Sequence, residues 1–119
     1  MWVHWTCGSL LLDASLTTGR ARMARVLVRP ALDAKLDTSI TESELAELRR
    51  LAATVSADDQ AKSPEDFFEF GSELVQVWRG DEVLEVRCDR GHVGGAARVL
   101  MDAAGALVLG YLPTESERA

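Results

Sequence analysis

The strongest constraint on the fold is a two-residue alternation of apolar and polar side chains in the second half of the chain. Residues 74–78 and 83–88 both alternate in this way, and the sequence Arg79-Gly80-Asp81-Glu82 between them is typical of a turn. Two further short apolar runs, 97–101 and 107–112, follow with a glycine-containing turn sequence between them. The pattern predicts four consecutive antiparallel strands, that is, a β-meander.

A helix is predicted before the meander. Thr41 and Glu44 have the spacing of a capping box, with Ile40 and Leu45 as the flanking hydrophobic staple, and apolar residues continue at helical spacing to Val55. The sequence Ser63-Pro64 predicts the start of a second, short helix, and residues 25–29, ended by Pro30, predict a further strand. The expected fold class is α+β, with two helices packed on one face of an antiparallel meander of four to five strands, a two-layer sandwich.

The chain is predicted to be one domain. Residues 23–113 are expected to form it, with residues 114–119 as a flexible tail. Met23 is a second possible start, so residues 1–22 are interpreted as a loosely attached N-terminal extension. No apolar run reaches the roughly 20 residues of a membrane span, and the N-terminus lacks a basic signal region. An excess of arginine over lysine suggests a bacterial source, and the expected location is the cytoplasm.

Charge argues for a protein partner. The net charge of −6 opposes binding to nucleic acid, and residues 37–85 hold thirteen acidic against four basic residues. Because phosphate-binding, nucleotide-binding and nucleophile motifs are absent, the sequence favours a non-catalytic module that binds a protein with a basic surface, such as an inhibitor, an immunity protein or a regulatory subunit. A homodimer through a sheet edge is a further expectation. The predicted contact residues are Glu42, Glu44, Glu47, Asp66, Glu69 and Trp78.

The two histidines and two cysteines suggest an alternative. They form the pairs His4-x-x-Cys7 and Cys88-x-x-x-His92, and imidazole and thiolate are the usual ligands of structural Zn²⁺. A zinc-stabilised interaction module is therefore one hypothesis. The competing interpretation is that Cys88 is a small buried apolar residue and His92 a solvated loop residue, with no cofactor.

Residues 82–112 resemble the C-terminal sheet of RelE/HigB-type bacterial toxins. The similar segments are Leu84-Glu85-Val86-Arg87, Ala97-Arg98-Val99-Leu100-Met101 and Gly105-Ala106-Leu107-Val108-Leu109-Gly110-Tyr111. The resemblance implies a ribonuclease of a toxin–antitoxin system, or a degenerate relative. It places Arg98 at the RNA-contacting arginine of one strand and Arg87 at a neighbouring position of the sheet. The basic C-terminal tail of that family is replaced here by Pro113-Thr114-Glu115-Ser116-Glu117-Arg118.

Overall fold

The computed structural model describes residues 1–25, 34–56, 72–89 and 95–112, which form an α+β fold with six strands and two helices. All six strands belong to one antiparallel sheet, in the spatial order β4-β3-β2-β1-β5-β6. In chain order the elements are β1 Trp2–Cys7, β2 Leu10–Ser15, β3 Arg20–Arg25, β4 Ala34–Ser39, α1 Glu42–Thr54, β5 Ser72–Arg79, β6 Glu82–Asp89 and α2 Gly95–Tyr111.

The hairpin of β5 and β6 confirms the two strands that the alternation predicts. Gly80 connects them with a φ of +61°, a conformation that costs glycine little because it has no Cβ. Val75 pairs with Val86 and Val77 pairs with Leu84, so the alternating apolar side chains share one face. These two strands belong to a six-stranded sheet, one strand more than the largest sheet predicted.

The N-terminal residues form the middle of the sheet, so the interpretation of residues 1–22 as a loosely attached extension is wrong. Strand β1 pairs with β2 on one side and with β5 on the other. Val3 and Trp5 are 0% and 2% exposed. The physical reason is the alternation of Trp2–Cys7, which places every second side chain in the core while the backbone forms bonds to both neighbouring strands.

Helix α1 confirms the predicted helix and its start. The Thr41 side chain accepts a hydrogen bond from the Glu44 backbone N–H, and the Glu44 carboxylate in turn accepts one from the Thr41 backbone N–H. The other end is capped from the sheet, because Arg79 Nη1 donates to the carbonyl oxygens of Ala52 at 3.3 Å and Ala53 at 3.0 Å. A guanidinium at this end also opposes the partial negative charge of the helix C-terminus.

Residues 95–111 form one helix, so the prediction of strands at 97–101 and 107–112 with a turn between them is wrong. The buried side chains recur at helical rather than alternating spacing. Gly105, read from sequence as part of a turn, lies inside the helix, where an added Cβ would be 3.5 Å from the Trp5 ring. The helix is favoured over two strands because helical spacing places the buried side chains in one stripe: Ala97, Leu100, Met101, Ala104 and Val108.

One face of the sheet and both helices contribute to a single apolar core. Helix α2 contacts β1, β2 and β3, and α1 contacts α2. No helix of the described ranges is long and apolar enough to cross a membrane. Several predicted features lie outside the described residues: all but Arg25 of the strand at 25–29, the short helix beginning at Ser63, the loop residue His92 and the tail 114–119.

Candidate functional site

The face of the sheet opposite the core carries side chains that are exposed or half-buried, and we call it the open face. Among its described side chains only Ala24 is buried. This surface is assembled from all six strands, so no short sequence motif marks it. Its other members are Trp2, His4, Thr6, Leu11, Asp13, Ser15, Arg20, Arg22, Lys35, Asp37, Ser39, Leu74, Gln76, Trp78, Val83, Glu85 and Arg87.

Two tryptophans lie side by side on the open face. Trp2 of β1 is directly opposite Trp78 of β5, which in turn is opposite Val83 of β6. Trp2 is 40% exposed and Val83 is 48% exposed. The three side chains form an apolar strip across three adjacent strands, the aromatic strip. Large side chains in such a position expose apolar area that a contacting surface would remove from water.

A row of polar side chains crosses the sheet next to the aromatic strip. In strand order it consists of Asp37, Arg22, Asp13, His4, Gln76 and Glu85. At each end of this row the neighbours are paired: Arg22 Nε is 3.6 Å from Asp37 Oδ1, and Gln76 Nε2 donates to Glu85 Oε1 at 2.6 Å.

Asp13 joins the polar row to the aromatic strip. Its carboxylate accepts a hydrogen bond from the Trp2 indole and lies 3.8 Å from His4 Nδ1. An open depression of about 310 Å³ adjoins this contact, and its walls include Trp2, Asp13, Arg20 and Arg22. The strip is therefore bordered on one side by polar and charged side chains, and an apolar centre with a polar rim is typical of protein–protein contact sites.

The predicted acidic contact residues of α1 are largely engaged within the protein. Glu47 pairs with Arg50, whose guanidinium lowers the pKa of that carboxyl, and Glu42 Oε1 is 3.9 Å from Arg49 Nη1.

Glu44 takes part in the capping box and also accepts a hydrogen bond from the Tyr111 hydroxyl at 2.7 Å. The bonds from Thr41 and then Tyr111 lower the pKa of this carboxyl. Glu44 thus stabilises the fold locally, whereas a contact role for Glu42 and Glu47 stays a prediction. Asp66 and Glu69 lie outside the described residues.

Arg98, which the toxin resemblance places on a strand, lies on α2 and binds a buried carboxylate. Its Nη1 and Nη2 donate to Glu73 Oε1 and Oε2, each at 3.0 Å, and its Nε donates to Asp102 at 3.1 Å. Burial lowers the pKa of this guanidinium, but the hydrogen bonds and charges of the two carboxylates outweigh it and raise the pKa. Arg87 lies on the open face, so the two arginines are on opposite sides of the sheet.

Glu73 is a residue that sequence reasoning missed. Its exposure is 2%, and Trp5 Nε1 donates to Glu73 Oε2 at 3.0 Å. The sequence does contain a signal for its burial: in the alternation of β5, Glu73 falls on the same face as Val75 and Val77. This ion pair borders a cavity of about 550 Å³ between the sheet and α2.

The first histidine–cysteine pair of the zinc hypothesis is not brought together. His4 lies on the open face, whereas Cys7 is buried on the core face, because three residues along a strand reverse the side-chain direction. In the described part of the chain, no group of three or more His, Cys, Asp or Glu side chains is placed to hold a metal ion. His92 lies outside that part, and nothing is described of the Cys88 side chain.

Comparison with known proteins adds no relative. No model of a known protein family matches the chain, and no curated protein matches it. Ribonuclease activity therefore stays a prediction of the RelE/HigB resemblance. Any function proposed for this chain therefore depends on the geometry of the open face.

Proposed function

We propose that this protein is a non-catalytic binding module that recognises another protein through the open face of its sheet. The observation that supports this proposal is the aromatic strip of Trp2, Trp78 and Val83 on the side of the sheet opposite the core. We propose a two-layer arrangement, in which the helices cover one face of the sheet and the open face is available to a partner. Trp78 is one of the contact residues that the sequence predicts.

The energetics favour the strip as the centre of a contact. Trp2 keeps 40% of its surface exposed, so a partner could still bury part of the about 150–250 Å² that an aromatic side chain can remove from water. Tryptophans dominate binding energy where they become fully desolvated. The indole of Trp2 is already oriented by its bond to Asp13, so less side-chain freedom is lost when a partner covers it. The surrounding charged row contributes specificity more than affinity.

The expected partner has a basic surface. The described residues contain eleven acidic and nine basic side chains, a net charge of −2, whereas the whole chain has −6. The difference of −4 equals the net charge of residues 57–71, which contain five acidic residues and one basic residue. A net negative charge attracts a basic partner at long range, and the strip then supplies short-range contact. An inhibitor, an immunity protein or a regulatory subunit fits this description.

Two valines provide a matched test. Val83 in the strip is 48% exposed, and Val99 on α2 is 50% exposed. We expect tagged native protein and Val99→Arg to retain the same stoichiometric partner from native host extract at low salt, and to release it as salt rises. Val83→Arg should retain at least about tenfold less of this partner than the native protein does, since the arginine would place a charge inside the contact.

Two outcomes would contradict the proposal. One is the absence of any stoichiometric partner at low salt. The other is equal retention by Val83→Arg and Val99→Arg, with unchanged circular dichroism spectra, because binding would then not involve the strip.

A further inference from the structure

Strand β6 is the last strand on one side of the sheet in the part of the chain that the structure describes. It is eight residues long and contains no proline or glycine. Its core-face side chains Leu84 and Val86 are 6% and 0% exposed, while Val83, Glu85 and Arg87 are exposed on the open face. An outer strand of this length presents backbone donors and acceptors to any strand that approaches it.

The charged side chains of β6 are complementary to those of β6 from a second copy that runs in the opposite direction. When two copies pair antiparallel about a two-fold axis, each exposed residue faces an exposed residue of the other copy. Centring the pair on Val86 places Glu85 of each copy opposite Arg87 of the other. Moving the centre to Glu85 or to Arg87 would instead place like charges directly opposite each other, which is destabilising.

We propose that a second copy of this chain is the partner of the β6 edge, in an antiparallel pair centred on Val86. The pairing joins two six-stranded sheets into one and places two Glu85–Arg87 ion pairs on the continuous open face. Because Leu84 and Val86 are already buried within one copy, the added contact consists of backbone hydrogen bonds and the two ion pairs. The interface is therefore small, and the association is expected to be weak and sensitive to salt.

The opposite edge is a less suitable site for the same pairing. Strand β4 has six residues, and its exposed Lys35 and Asp37 would also be complementary in a pair centred on Leu36. However, Asp37 already lies within ion-pair distance of Arg22 of the same copy, whereas the partner of Glu85 among the described residues is the neutral Gln76. No acidic side chain of the described residues is within ion-pair distance of Arg87.

Charge reversal tests the register directly. We expect sedimentation equilibrium of the full chain at low salt to show a monomer–dimer equilibrium, with a dissociation constant below about 1 mM. Glu85→Arg alone and Arg87→Glu alone should each weaken dimerisation at least about tenfold, because two like-charge pairs form in each dimer. The double variant Glu85→Arg/Arg87→Glu restores opposite charges and should recover dimerisation. Lys35→Glu, which changes the other edge, should have no effect.

Three results would overturn the proposal. The native chain could remain monomeric to about 1 mM. The double variant could stay monomeric although its thermal unfolding matches that of the native protein. Finally, Lys35→Glu could abolish dimerisation while the β6 variants do not, which would assign the contact to β4. These experiments use the purified chain alone, so their outcome does not depend on whether the open face binds another protein.

Discussion

Removing the guanidinium of Arg98 should lower the free energy of unfolding, and the burial of its partner sets the size of the loss. Arg98 is the main charge partner of Glu73, whose side chain is 3% exposed. In Arg98→Ala the carboxylate would keep only the Trp5 indole as a described hydrogen-bond donor. Breaking a buried ion pair in this way costs about 3–5 kcal/mol. Because the adjoining cavity admits water to the site and the Arg98 side chain is 22% exposed, we expect about 2–4 kcal/mol here.

Urea unfolding, followed by tryptophan fluorescence and circular dichroism, measures this loss. With an m value of about 1.5 kcal/mol/M, a loss of about 3 kcal/mol lowers the midpoint by about 2 M. Asp102→Asn is the matched control, since it removes the exposed partner of Arg98 while Glu73 stays paired. The Asp102 side chain is 68% exposed, so we expect a loss below about 0.5 kcal/mol.

The double variant Glu73→Gln/Arg98→Ala separates charge from packing. A neutral amide still accepts the Trp5 hydrogen bond, so it should recover at least about half of the stability lost in Arg98→Ala. A double variant as unstable as Arg98→Ala would refute a charge effect, because the loss would then come from the arginine's aliphatic packing. It is also refuted if Asp102→Asn costs as much as Arg98→Ala.

Three smaller perturbations test the local structure. Thr41→Ala should lower the free energy of unfolding by about 1 kcal/mol in urea titrations, because the α1 capping box is lost. Gly19→Ala should lower the thermal midpoint more than Gly8→Ala: both have positive φ, but only at Gly19 would a Cβ meet another side chain, at 3.2 Å. The lowered pKa of Glu44 means that its stabilising contribution is present above the ordinary carboxyl pKa and is lost as pH falls through the lowered value. In acid titrations, Tyr111→Phe should therefore lose stability less steeply than the native protein.

Local sequence signals predicted the elements whose determinants are local. The capping box and the apolar spacing of α1 depend on residues three or four positions apart, and both are present in the structure. The β5–β6 hairpin likewise follows from the alternation and the turn at Gly80. In both cases the residues that decide the structure are near neighbours in the chain.

The sequence prediction failed where tertiary contacts decide between two patterns. Around Val99 and Val108, β-branched residues and glycines favour strand and turn, yet the same residues form α2. Packing decides, because α2 buries its helical stripe and contacts β1, β2 and β3. Propensity is a weak prior that such burial overrides.

The open face could not be predicted because its members are far apart in sequence. Trp2 and Trp78 become neighbours only through the pairing of β1 with β5. Local alternation gives the face of each strand but not which strands are adjacent. The sequence also suggests the α1 carboxylates as a contact surface. The structure pairs Glu42 and Glu47 with arginines of the same helix and leaves both side chains exposed, so this surface stays a prediction.

The most direct test of a binding function for the open face is site-specific photo-crosslinking in the native host. A benzophenone amino acid at position 83 samples the aromatic strip, and the same group at position 99 samples an equally exposed valine on α2. We expect one dominant crosslinked partner from position 83 and none from position 99. A crosslink to a second copy alone would support only the β6 dimer. Crosslinking from position 99 but not from position 83 would contradict the proposed function.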